Sequence, residues 1–238
     1  MKIVSLAFVF SIISAQWSSE SAYLLEKNRK EIGLFSPFKI GMNKGGEIGV
    51  NKFLLMPSIY LKQEMPKYKS WKMARKFRLE YPTPGLKWIQ SPLGKEMGDP
   101  NMFSLISTQF SIPHMISFYG KLIGTTGNLK SGQLSLSGGI GIALNGKKLS
   151  NDATVDLPVI YPRLSVYHND FVIKSGGEYA RYLSNQLYYL INYEMYLMPG
   201  TGGRYAFEQQ SVLVWQKSKR LTLSFGYKLI VGEYPFGG

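Results

Sequence analysis

Two stretches of the chain alternate apolar and polar positions with a period of two over a length that few soluble strands reach. From Gln133 to Leu144 one face holds Leu134, Leu136, Gly138, Ile140, Ile142 and Leu144, and the other holds Gln133, Ser135, Ser137, Gly139, Gly141 and Ala143. From Leu221 to Gly232 one face holds Leu221, Leu223, Phe225, Tyr227, Leu229 and Val231, against Thr222, Ser224, Gly226, Lys228, Ile230 and Gly232. Successive side chains of a strand point to opposite sides, so each segment carries one continuous apolar face and one face of small or polar residues. Strands in soluble domains average about 5 to 6 residues. A tilted strand that crosses a bilayer needs about 9 to 11, apolar on the lipid side and small or polar on the other.

Other segments follow the same alternation less cleanly. Leu187 to Met198 sets Tyr189, Ile191, Tyr193, Met195 and Leu197 on one side and Asn192 and Glu194 on the other. Phe171 to Tyr182 and Tyr205 to Gln216 each alternate with at least one slip, of the kind a β-bulge absorbs. Thr154 to Tyr167 reads as a strand with Ile160, Leu164 and Val166 outward and Tyr161 and Arg163 inward, although Pro158 and Pro162 would each remove a ladder donor. Upstream, Glu31 to Ile40 and Glu47 to Leu61 flank Gly41-Met42-Asn43-Lys44-Gly45-Gly46, a hairpin signal. Arg75 to Gln90 is broken by Pro82 and Pro84, and Asn101 to Tyr119 reads as one long strand or two short ones. Short turns are marked at Asn145-Gly146-Lys147, His168-Asn169-Asp170, Ser184-Asn185, Pro199 to Gly203 and Lys217-Ser218-Lys219. The expected fold is all-β: a single antiparallel up-and-down transmembrane β-barrel of about ten strands, within roughly 8 to 12.

The N-terminus adds a compartment. Met1-Lys2 precedes an apolar run from Ile3 to Ile13 and then Ser14-Ala15-Gln16, the arrangement of a secretory signal cut after Ala15. The expected division is therefore 1–15 signal and 16–238 barrel domain. No later run reaches the roughly 18 apolar residues of a membrane helix, and only closed barrels otherwise satisfy their backbone in lipid. The chain has no cysteine, which excludes disulfides and thiolate chemistry.

These features together resemble bacterial outer-membrane β-barrel proteins in general: a signal segment, then Gln133 to Leu144 and Leu221 to Val231 as lipid-facing strands. The resemblance covers most of the chain as a pattern, without a residue-specific motif. It implies outer-membrane lipid and the outer-membrane assembly machinery as partners, and a final strand ending in an aromatic residue. The chain ends Tyr234-Pro235-Phe236-Gly237-Gly238, so either Phe236 stands in for that residue or the barrel is incomplete at its C-terminus. The 16 Tyr, 13 Phe and 4 Trp suit the aromatic girdles of such barrels and are also good strand formers.

Charge and chemistry refine the picture. A formal charge of +13 points to an anionic partner, and export makes anionic headgroups or phosphate the expected one rather than nucleic acid. Lys67, Lys69, Lys72, Arg75 and Lys76, in a run around Pro66 and Trp71, are the candidate contacts, read as a loop with flanking strand ends. Candidate lumen-lining residues are Arg163, Lys174, Glu178, Asn192, Glu194, Glu208, Gln210 and Lys228, the polar positions of the presumed inner face. A hairpin at Ser184-Asn185 would bring Glu178 opposite Asn192 or Glu194, with Lys174 as the nearest counter-charge. His114 and His168 show no ligand spacing, no G-x-S-x-G elbow is present, and Gly138-Gly139-Ile140-Gly141 lacks the helix a phosphate loop needs. No catalytic residue, metal or cofactor is expected. The expected function is a narrow channel for small solutes or a structural membrane protein. A soluble exported β-barrel or β-sandwich binding an apolar ligand is the alternative, and an outer-membrane enzyme the third reading.

Overall fold

In the computed structural model, residues 19–32, 37–43, 45–51, 56–90, 111–145, 161–199, 205–218 and 221–233 are described. They form an eleven-stranded sheet in which every strand pairs antiparallel with the next one along the chain. The strands are β1 (Lys30–Glu31), β2 (Phe38–Met42), β3 (Gly46–Asn51), β4 (Ser58–Tyr68), β5 (Trp71–Glu80), β6 (Ile116–Asn128), β7 (Gly132–Asn145), β8 (Phe171–Tyr182), β9 (Leu187–Leu197), β10 (Tyr205–Gln216) and β11 (Thr222–Gly232). Two helices interrupt the meander, α1 (Thr83–Gln90) after β5 and α2 (Tyr161–Asn169) before β8. Among the described residues the ladder runs from β1 to β11, and no strand pair joins those two edges.

The sheet is strongly curved. Lys121 on β6 and Glu194 on β9 approach to 2.6 Å, with β7 and β8 between them in the ladder. In a flat sheet three strand spacings would hold them about 14 Å apart, so the strands wrap around a concave side. Small residues on that side make room for it. A Cβ at Gly141 would fall 2.2 Å from the Tyr119 ring of neighbouring β6, and one at Gly49 would meet the Tyr60 ring of β4 at the same distance.

The polarity of the two faces is the reverse of a water-soluble sandwich. On the convex face Leu134, Leu136, Ile140, Ile142 and Leu144 of β7 are exposed, together with Leu223, Phe225, Tyr227 and Val231 of β11. Phe171 and Ile173 of β8, Tyr193, Met195 and Leu197 of β9, and Phe207, Leu213 and Trp215 of β10 continue that surface. The concave face instead buries charge: Glu47, Lys62, Glu80, Lys174, Glu178 and Glu208 are all nearly inaccessible. The apolar faces read from Gln133 to Leu144 and from Leu221 to Gly232 are thus the convex ones.

Several expectations need correction. Glu47 to Leu61 is divided into β3 and β4. The basic run around Pro66 is not a loop: β4 and β5 form a tight hairpin, with Lys69 at φ 52 in its turn and a register shift between Met65 and Tyr68 where Pro66 lacks a donor. The slips read in β8 and β10 need no bulge, since both keep continuous register with their neighbours. Arg163 lies on a helix, not a strand. Pro162 sits in the first turn of α2, where its missing N–H costs nothing, and the Ser165 hydroxyl donates to its carbonyl at 2.6 Å. Asn169 closes the helix by donating to the Ser165 carbonyl, and Asp170 at φ 66 turns the chain into β8. The expected signal segment, residues 101–110, 146–147, 154–160 and 200–203, and the C-terminal residues 234–238 lie outside the described residues.

Candidate functional site

Three pieces of backbone bring polar groups onto the concave face: the inward positions of β3 to β11, helix α2, and residues 19–25. That last segment crosses the strands. The Ser19 hydroxyl and the Glu20 amide donate to Glu178 on β8 at 2.5 and 2.7 Å. The Ala22 amide donates to Thr125 on β6, and the Leu25 amide to Glu47 on β3. Lys62 on β4 donates to the Tyr23 carbonyl, and Tyr60 donates to the other Glu47 oxygen. Backbone amides that would be orphaned on a sheet face are satisfied by buried side chains, which is what lets the segment lie there.

Glu20 is the hinge of the charge arrangement. Its carboxylate meets Lys76 of β5 at 2.9 Å and Lys121 of β6 at 3.6 Å. Burial alone would push its carboxyl up, but Lys121 and then Lys76 more than offset this and hold it well below the usual carboxylate range. Lys121 also pairs with Glu194 of β9, whose second oxygen accepts from Tyr196 at 2.8 Å. Glu208 of β10 lies directly across the ladder from Glu194. Two opposed carboxylates would repel, and Glu208 is neutralised by a two-pronged pair with Arg163 of α2 at 2.6 and 3.0 Å and by Lys228 of β11 at 3.1 Å. Desolvation opposes the Arg163 charge most strongly, but Glu208, Tyr196 and Glu194 together more than offset it and keep the guanidinium protonated. On β5, Arg78 pairs with Glu80 at 3.0 Å.

These groups surround a cavity of about 70 Å³. Of the eight residues expected to line an interior, Arg163, Lys174, Asn192, Glu194, Glu208, Gln210 and Lys228 border it. Glu178 shares the concave face but is occupied by residues 19 and 20. Glu178 does face Asn192 across the β8–β9 ladder, whereas Glu194 faces Gly176 and takes its cation from Lys121 rather than Lys174.

The five basic residues of the hairpin separate. Lys67 and Lys69 are exposed at the β4–β5 turn, and Arg75 is exposed on the convex side, bonded to Gln63. Lys72 pairs with Glu64 and lies 5.0 Å over the Tyr23 ring. Lys76 departs from the set: it points to the concave face and is bound to Glu20. Sequence reasoning also missed Arg78, Lys121 and Glu20. For the first two a signal was present, since Lys72-Ala74-Lys76-Arg78-Glu80 and Ser117-Tyr119-Lys121-Ile123-Thr125 alternate with Met73-Arg75-Phe77-Leu79 and Phe118-Gly120-Leu122-Gly124. Glu20 offered none, because its partners are 56 positions and more away.

The histidines take no part in the cavity. His114 stacks on Tyr81, whose hydroxyl lies 2.7 Å from its Nδ1, and His168 is buried on α2. Among the described residues no group of three or more His, Cys, Asp or Glu is placed to hold a metal. No family model, curated protein or solved structure matches the chain.

Proposed function

We propose that the chain is an integral outer-membrane β-barrel, exported with cleavage after Ala15, that forms a narrow passage for small solutes and carries out no catalysis. The observation that carries this reading is the inverted polarity of the sheet. A continuous convex surface of Leu, Ile, Phe, Tyr and Trp is exposed while charges are buried on the concave side. A contiguous exposed apolar surface is rare on a monomer in water and marks an interaction site; in lipid it is the expected exterior. Spanning requires the edges of the sheet to close, since unpaired strand edges are not solvated by hydrocarbon. The curvature that brings β6 and β9 side chains together supports such closure.

The passage is constricted by its own contents. Residues 19–25 and α2 occupy the concave side, leaving the 70 Å³ cavity, with room for a small ion and a few waters. Its charged lining gives an apolar ligand no favourable surface. Lys67 and Lys69 at the β4–β5 turn, with Arg75 at the adjoining outer edge, are placed to meet anionic headgroups.

Fractionation tests the reading: the mature protein is expected in the membrane fraction, monodisperse only with detergent. A protein that stays in the soluble fraction and is monodisperse without detergent would overturn it. For the absence of catalysis, ester hydrolysis by wild type, His114→Ala and His168→Ala is expected to be equal to background; histidine-dependent turnover would reverse that part.

A further inference from the structure

We propose that the cavity on the concave face is a binding site for a small oxyanion, a carboxylate or a phosphate, with the Lys174 ammonium as its central contact. This deepens the reading as a passage by naming the class of solute that dwells in it.

The argument starts from which charges are already committed. Six cationic side chains border the cavity, Lys76, Arg78, Lys121, Arg163, Lys174 and Lys228, against three carboxylates, Glu20, Glu194 and Glu208. Each carboxylate already has a cationic partner. Glu194 gives one oxygen to Lys121 and the other to Tyr196. Both Glu208 oxygens hold Arg163, one of them shared with Lys228, and Glu20 takes Lys76 and Lys121. Arg78 has Glu80.

Lys174 has no carboxylate within ion-pair distance among the described residues. It is only 4% exposed, and its Nζ lies 4.1 Å from the centre of the Tyr119 ring and 4.5 Å from that of Tyr196. Ring faces attract the charge but fill none of the three N–H donors with a strong acceptor. A buried ammonium lacking a counter-ion is costly, and an oxyanion supplies what is missing. Arg78 shares the Tyr119 ring at 4.7 Å, so a second cation stands beside the first. With Glu80 set against Arg78, six cations still face four carboxylates, and this surplus between low-dielectric walls favours an anion over a cation or a neutral solute.

The experiment is titration calorimetry of the full chain in detergent micelles with inorganic phosphate and, separately, acetate. The expected result is saturable binding of one anion per chain, at least tenfold weaker in Lys174→Met and largely retained in Lys174→Arg and in Lys130→Met, which changes an exposed lysine at the β6–β7 turn. Lys174→Met removes a buried cation that forms no ion pair, so without phosphate its melting temperature should match or exceed that of wild type, and adding phosphate should raise the melting temperature of wild type but not of Lys174→Met. Lys174→Gln serves as a second neutral variant. Absence of saturable binding by wild type, or wild-type affinity in either folded neutral variant, overturns the site. Micelles carry no transmembrane flux, so that failure would leave the passage reading standing. Conversely, phosphate binding by a protein that gives no conductance in planar bilayers would remove the passage and keep the site.

Discussion

Glu208 meets two cations at once, and that concentration of charge makes the cavity sensitive to single substitutions. Its bonds to Arg163 and Lys228 are made where all three side chains are nearly inaccessible. Removing one partner of such a cluster leaves uncompensated charge, and Glu208→Ala is expected to cost about 3 to 5 kcal/mol of unfolding free energy in detergent. Replacing the whole cluster with apolar residues, Arg163→Met with Glu208→Met and Lys228→Met, should cost less than that single change, because no charge is left behind. Glu20 allows a test by pH. Its carboxyl is depressed in the folded chain, so the stability it contributes is complete above the ordinary value of 4.5 and is lost as pH falls from there through the depressed folded value. The melting temperature of Glu20→Gln should therefore lie below that of wild type at neutral pH. The gap should narrow progressively below about pH 4.5; a gap independent of pH would place the carboxylate's contribution elsewhere.

At the scale of the strand, the two faces should respond to the same substitution in opposite ways. Leu136→Arg or Ile140→Arg on β7, and Leu223→Arg or Phe225→Arg on β11, put charge on the exposed convex surface and should cost about 2 to 4 kcal/mol where the position lies near the bilayer midplane. In micelles or vesicles this is read as a lower midpoint of denaturant unfolding. Ser137→Arg on the inward face of β7 should instead act through crowding, since the Ser137 hydroxyl already lies only 3.0 Å from where a Cβ on Gly176 would sit. Equal tolerance on both faces would contradict a lipid-facing surface. These faces were legible because β7 and β11 alternate strictly and hold no proline. Helix α2 was not, because Leu164, Val166 and the prolines around Tyr161 satisfy a period of two as well as a single helical turn. The same ambiguity concealed Lys76: five basic residues in one run read as a solvated patch, and the face each takes emerges only once the β4–β5 register is known. Of the site, the positions on β8 to β11 could be read from strand parity alone. The cations that complete it, Lys76, Arg78 and Lys121, sit on alternating positions of β5 and β6, but only the curvature of the sheet brings them to the carboxylates of β9 and of residue 20, and no local pattern points to Glu20.

For the molecule as a whole, consecutive pairing of every strand keeps the ladder contacts local in sequence, and the long-range cohesion falls to the concave-face charges and to residues 19–25. A variant with Ser19→Ala and Glu178→Ala should keep its strand content by circular dichroism yet be cut by protease at Tyr23-Leu24 faster than wild type. Unchanged resistance would show that the segment is held by its β3, β4 and β6 contacts alone. The route of this segment also ties it to strands far apart in the sequence. Its amides bond to β3, then β6, then β8, and the last of these lies 158 residues further along the chain. Full fastening of the segment therefore requires β3, β6 and β8 together, and its near end is secured only where Glu178 is in place. The stretch that leads the described chain thus works as a tally of the sheet, and each of these bonds registers that one more strand is present.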